Sequence, residues 1–169
     1  MDLHKAVRDP WVWGQAGLIG GIMGGLPVLR ALLPGESAIA LLLVPAHMPW
    51  RLMALVPTLA GAGVAWWGAR SLGPNLTPGT EPLASGVLVE RGAYRVVRHP
   101  IYLGMALLLW GAAWGITNGR VGALGGLVAL AYFDRKAAAE ERWLSRRFPA
   151  FAAYRSRVPK LIPRLPGQP

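Results

Sequence analysis

Cysteine is absent from the 169 residues, and acidic residues are few, eight Asp and Glu against 18 Lys and Arg. The missing thiols exclude disulfides, thiolate nucleophiles and cysteine-based metal sites. Histidine is limited to three positions, of which His4 and His47 stand isolated, so no metal-ligand spacing emerges and no metal is expected. Charge is scarce altogether, at 15% of the chain, while 53% of the residues are hydrophobic. That balance is too apolar for an ordinary soluble domain, and the chain is short for two domains. No long-period repeat is visible.

What is present is a series of apolar runs long enough to cross a bilayer, which takes about 20 residues. Trp11 to Leu33 is the first, with Gln15 and Arg30 as its strongly polar members, and Leu52 to Ala69 is the second. Ile101 to Thr117 is the third. Val121 to Phe133 is short, but its helical pattern continues through Ala137-Ala138-Ala139 toward Phe148, so this helix is expected to emerge from the membrane. Ser37 to Trp50 is apolar but brief and carries Pro45, His47 and Pro49; it reads as a re-entrant or interfacial segment, with a fifth span as the alternative. The fold class expected is therefore an all-α polytopic membrane bundle of four spans, or five, with a cytoplasmic cap of loop and tail. Residues 1–50 supply the N-terminal span and the ambiguous segment; residues 51–169 supply the core and cap. The basic N-terminal start followed by an apolar run invites a signal-peptide reading, but the run is long for an h-region, and a retained span is expected.

Charge placement supports four spans. With the N-terminus inside, only Arg30, Arg51 and Arg120 of the 18 basic residues fall outside, a strong positive-inside bias. The net charge of +10 is thus explained by topology and by anionic membrane lipid, and no nucleic-acid partner is expected. The protein is expected in a membrane, the small size suggesting a bacterial inner membrane, with its site on the cytoplasmic face.

Gly17, Gly20, Gly21, Gly24 and Gly25 create three overlapping GxxxG spacings, a pattern that lets membrane helices approach closely. No strand precedes them, so a nucleotide-binding glycine loop is not the reading. Gly104, Gly111, Gly115, Gly119, Gly122, Gly125 and Gly126 suggest the same packing for the last two spans, with Asn118-Gly119 turning between them. Gly73 to Gly86, rich in proline and glycine, is expected to be irregular and to form a lid or wall of a site. Val158 to Pro163 is expected to fold back on the membrane.

Chemistry concentrates in two places. Tyr94-Arg95-Val96-Val97-Arg98-His99-Pro100 brings cations and a histidine to the start of an apolar helix, with Pro100 at a first-turn position. The partial positive charge of a helix N-terminus, with Arg98 beside it, favours an anion; the plain alternative is arginines reaching for lipid headgroups. One hairpin later comes Glu140-Glu141. Glu140 has Lys136 one turn back, whereas Glu141 has no cation at local helical spacing, so either water solvates it or a ligand cation does.

Arg98-His99-Pro100-Ile101-Tyr102-Leu103-Gly104 followed by Glu140-Glu141 resembles the isoprenylcysteine carboxyl methyltransferase family and its phospholipid N-methyltransferase relatives. The flanks agree: Ser71-Leu72-Gly73 with Asn75, Leu88-Val89 with Gly92-Ala93-Tyr94, and Arg147-Phe148-Pro149 with Tyr154 and Val158-Pro159. The resemblance spans roughly residues 55–165. It implies S-adenosylmethionine as cofactor, held between membrane helices and the cap, with His99, Tyr102, Gly104, Glu140 and Glu141 in the pocket. Within it, Arg98, His99 and the helix start are assigned to the cofactor's carboxylate, and Glu141, then Glu140, to its ammonium or ribose. Tyr102 and Tyr94 are assigned to the wall around adenine or sulfonium, and Gly104 to close approach of cofactor or helix. Methyl transfer from a sulfonium needs alignment and exclusion of water more than acid–base catalysis, so the lack of a catalytic triad is expected.

The acceptor implied is a lipophilic small molecule, either a carboxylate or an amine. A reductase on a related scaffold, using NADPH, and a non-enzymatic assembly protein are the competing readings. A proton-coupled transporter would carry a carboxylate inside a span, and none of the four has one.

Overall fold

The computed structural model describes residues 7–32, 48–77 and 86–164, and every regular element among them is helical. The first helix, α1 (Pro10–Gly20), starts where Asp9 accepts a hydrogen bond from Trp11 N at 2.9 Å and Pro10 occupies a position that needs no donor. It continues through a π turn (Gly21–Gly25) into α2 (Leu26–Leu32). A short α3 (Met48–Leu52) precedes α4 (Leu55–Leu72), which ends at Gly73 with φ +57°. One 3-10 turn (Gly73–Asn75) follows directly, and another (Gly92–Arg95) leads to α5 (Pro100–Ile116). The long α6 (Gly119–Arg147) and the short α7 (Phe151–Arg157) complete the chain.

Among the described residues, two stretches are long and apolar enough to cross a membrane: Pro10–Leu29, 20 residues of mean hydropathy 1.3, and Pro49–Asn75, 27 residues of mean hydropathy 1.4. Their apolar side chains point away from the protein: Trp13, Leu29, Leu55, Val56, Leu59 and Trp66 are all exposed. In water such a surface would aggregate, whereas in a bilayer it is solvated. Four spans are expected from the sequence, and two helices meet the test of length and hydropathy. The other two differ for a physical reason: α5 is apolar but only 17 residues long, and α6 is strongly charged in its second half. Residues 37–47 of the ambiguous segment lie outside the described residues.

α5 is the centre of the assembly, packed between α4 and α6. Its contact with α4 is backbone on backbone: a Cβ at Gly104 would sit 2.5 Å from Ala65 N and 2.7 Å from Gly61 O, and one at Gly111 would sit 2.8 Å from Thr58 N. Against α6, Gly122 and Gly126 admit Trp114 and Trp110, and Ala106, Leu109 and Ala113 meet Ala129, Phe133 and Ile22 in the core. Among the described residues, nothing packs closely on the GxxxG glycines of the first span. No described atom lies within 4 Å of a Cβ placed at Gly17, Gly20, Gly21 or Gly24, and only Gly14 is in close contact, with Tyr132. The spacing revealed a smooth helix face but not what it faces.

Asn118 caps α6, its Oδ1 accepting from Arg120 N at 3.1 Å and Val121 N at 3.2 Å. Asn118→Ala is expected to lower stability by about 1 kcal/mol, with Asn118→Asp largely restoring it, as read from thermal midpoints in detergent.

Candidate functional site

The site forms where the start of α5 meets the emerging half of α6 and is bordered by α7, while the tail packs against the start of α5. Gly92, at φ +60°, turns the chain against α4 so tightly that a Cβ there would lie 2.3 Å from Ser71 Oγ. Ala93 N in turn donates to Ser71 Oγ at 3.2 Å, and Val87 N donates to Asn75 Oδ1 at 2.9 Å, which fixes both ends of the connection beside α4. The tail folds back toward the start of α5 and packs on it. Arg98 N donates to Pro159 O at 2.8 Å and His99 N to Lys160 O at 3.1 Å, with Leu161 buried beneath. The backbone donors just before α5 are therefore satisfied by tail carbonyls.

Arg98, His99 and Glu141 form one buried node. Glu141 Oε1 accepts from Arg98 Nε at 2.9 Å and lies 3.1 Å from His99 Nε2, so the cation lacking in its own helix comes from another. Burial disfavours the charged form of Glu141, but hydrogen bonds from His99 and Arg98, with their charges, outweigh it and hold the carboxyl at about 2. An ionised Glu141 only accepts, so His99 Nε2 carries a proton. Arg98 Nη1 also donates to Arg155 O at 3.0 Å and to Val158 O, tying the node to α7 and the tail.

One turn further along α5, Tyr102 donates to Glu140 Oε2 at 2.9 Å. Its ring stacks on His99 on one side, 5.5 Å between centroids, and on Phe133 on the other, at 5.4 Å. The Lys136 ammonium sits 5.2 Å from the Tyr102 ring and donates to Gln15 Oε1 at 2.6 Å, although Lys136 is only 1% exposed. His99, Tyr102, Glu140, Lys136 and Gln15 line a cavity of about 620 Å³, whose other walls come from α1, the two ends of the 77–86 connection and the aromatic cluster Phe148, Phe151 and Tyr154. Its size lies within the ordinary range for small-molecule sites. Tyr154 donates to Tyr94 O at 2.7 Å, and burial raises the hydroxyl pKa of both tyrosines, with Glu140 adding to the effect at Tyr94, so they stay neutral.

Of the seven residues singled out in the sequence, Tyr94, Arg98, His99, Tyr102 and Glu140 line this cavity, while Glu141 and Gly104 do not. Glu141 stands behind the wall and faces a second groove, and Gly104 is spent on the α4 contact. Sequence reasoning placed neither Lys136 nor Gln15 in the site. Their signals were present, one as a lysine a turn before Glu140, the other as an isolated amide in an apolar span.

No curated protein matches the chain. The sequence profile of the phospholipid methyltransferase family matches residues 50–150, which takes in α4, α5 and α6 and with them His99, Tyr102, Glu140 and Glu141. That match covers more than half of the chain, and the protein belongs to the phospholipid methyltransferase family.

Proposed function

We propose that this is an integral-membrane, S-adenosylmethionine-dependent methyltransferase that modifies the carboxylate or amine of a lipophilic acceptor at the cytoplasmic membrane face. The observation that carries the reading is the cavity wall in which Tyr102 fixes Glu140 opposite aromatic side chains, with the Lys136 ammonium alongside. The residues fit the cofactor's chemistry. Its zwitterionic end needs a carboxylate and a cation, supplied by Glu140 and Lys136, and its adenine needs flat apolar walls, supplied by Phe148, Phe151 and Tyr94. When bound, S-adenosylmethionine supplies a methyl group already activated by the sulfonium. The chain's own part is to orient and to exclude water. Tyr102 holds Glu140, the Arg98–Glu141–His99 node holds the foot of α5, and the apolar cavity walls keep water from the acceptor.

The lipophilic acceptor is supported by α1, which contributes Val12, Ala16 and Ile19 to the cavity while belonging to a stretch apolar enough to span a membrane. The cytoplasmic face is supported by the concentration of basic residues at the end that carries the site. Calorimetric titration of detergent-purified protein with S-adenosylhomocysteine, with NADPH as control, tests the proposal. Selective binding of S-adenosylhomocysteine is expected. Glu140→Gln should weaken it by about tenfold or more, the loss of one charge-assisted contact, while the thermal midpoint stays close to wild type because Glu140 is partly exposed. Undiminished binding in that variant, or preference for NADPH, would overturn the assignment.

A further inference from the structure

Behind Glu141, on the side away from the cavity, lies a separate groove of about 470 Å³ between the last turns of α6, α7 and the tail. Five of the residues lining it are cationic: Arg98, Arg142, Arg146, Arg155 and Lys160. Its sole carboxylate among the described residues, Glu141, is already engaged by Arg98 and His99, and Arg155 Nε reaches the other oxygen only at 4.0 Å. Lys160 is held by Asp134 at 2.7 Å. Arg142 and Arg146 stand one turn apart on the same helix face, a like-charge spacing that destabilises a helix unless an anion intervenes. Arg146 lies with its guanidinium 5.8 Å from the ring of Trp143, which is 43% exposed, and Ile162 of the tail is 68% exposed beside Leu161. Guanidinium forks with exposed apolar neighbours, at the end of a helix leaving an apolar hairpin, match a phosphate group presented at a lipid surface.

We infer that this groove is a second ligand site, which holds a phosphate group between Arg142, Arg146 and Arg155 and thereby steadies the corner that positions Arg98. The link is structural: Arg98 lines both the groove and the cavity, and its Nη1 is held by the carbonyls of Arg155 and Val158 at the junction of α7 and the tail. An anion there offsets the repulsion among the three arginines and leaves Glu141 to Arg98 and His99. The inference does not depend on which cofactor the cavity binds.

The test uses the full chain in neutral detergent, following thermal stability while each probe is titrated at fixed ionic strength. The probes are dioctanoyl phosphatidylglycerol, dioctanoyl phosphatidylcholine and inorganic phosphate. Phosphatidylglycerol is expected to stabilise the protein more than phosphatidylcholine, whose choline brings a cation into a basic groove. In Arg142→Gln combined with Arg146→Gln, the concentration needed for half the effect should rise by about tenfold or more. Arg91→Gln combined with Arg95→Gln removes the same charge from exposed positions outside the groove and should leave the response unchanged. Stabilisation by phosphatidylglycerol with none by inorganic phosphate assigns the site to a lipid headgroup; an equal response to both assigns it to free phosphate. If neither probe stabilises the wild type, or if both double variants lose the response equally, no groove-specific site exists.

Discussion

Glu141→Gln is expected to lower stability by about 3 kcal/mol or more and to abolish ordered binding in the neighbouring cavity, although residue 141 does not line it. The amide keeps the shape but removes the charge that compensates Arg98 and the acceptor that faces His99, both buried at 9% and 5% exposure. Arg98 keeps its two carbonyl acceptors, so the corner holds together, but a buried guanidinium without its carboxylate is costly. Acid should reproduce the effect in the wild type. The folded carboxyl titrates at about 2 against an ordinary 4.5, so its stabilisation is complete above pH 4.5 and is lost as the pH falls toward 2. The expected result is a thermal midpoint that declines across that interval in the wild type and much less in Glu141→Gln, which has nothing left to titrate there. Parallel acid curves for the two proteins would show that Glu141 is not the titrating support of the node.

The second large effect concerns two glycines on one helix. Gly61→Ala is expected to destabilise the protein by about 3 kcal/mol, the upper end of the usual overpacking cost, because the added carbon meets backbone, not flexible side chain. It would lie 2.6 Å from Gly104 O and 2.7 Å from Leu108 N, so α4 and α5 must separate to admit it. Gly63→Ala, two residues on, has no described atom within 4 Å of its added carbon and should be close to neutral. Since α5 carries His99 and Tyr102 at its foot, the separation forced at Gly61 should also weaken ligand binding, and Gly63→Ala should not. Thermal midpoints and calorimetry on the pair decide the matter: equal behaviour would mean that α4 and α5 do not cross through these glycines.

Much of this was legible before any coordinates. The all-helical class follows from apolar runs of helical length with prolines and Asn118-Gly119 at their ends. The site's neighbourhood follows from His99-Pro100 at a helix start and Glu140-Glu141 one hairpin later, because a short turn after Thr117 forces α5 and α6 to run side by side. What stayed hidden was pairing. One-dimensional spacing shows which residues share a face, so it correctly reported that Glu141 has no partner on its own helix, and it could not report the partners waiting on another. The same gap explains the glycines: the run in α1 is conspicuous by spacing, whereas the contacts that close the bundle use Gly61, Gly104 and Gly111, whose role depends on where α4 and α5 cross.

By itself, then, the sequence determined the helical class, the apolar exterior and the cluster of reactive residues at one end, since these depend on composition and on neighbours a few residues apart. Only the tertiary structure decided that Glu140 faces the cavity while Glu141 supports it from behind, that Lys136 and Gln15 join the wall, and that the tail covers the start of α5. Adjacent residues on a helix point about 100° apart, and which of them meets a ligand is set by the helices packed around it.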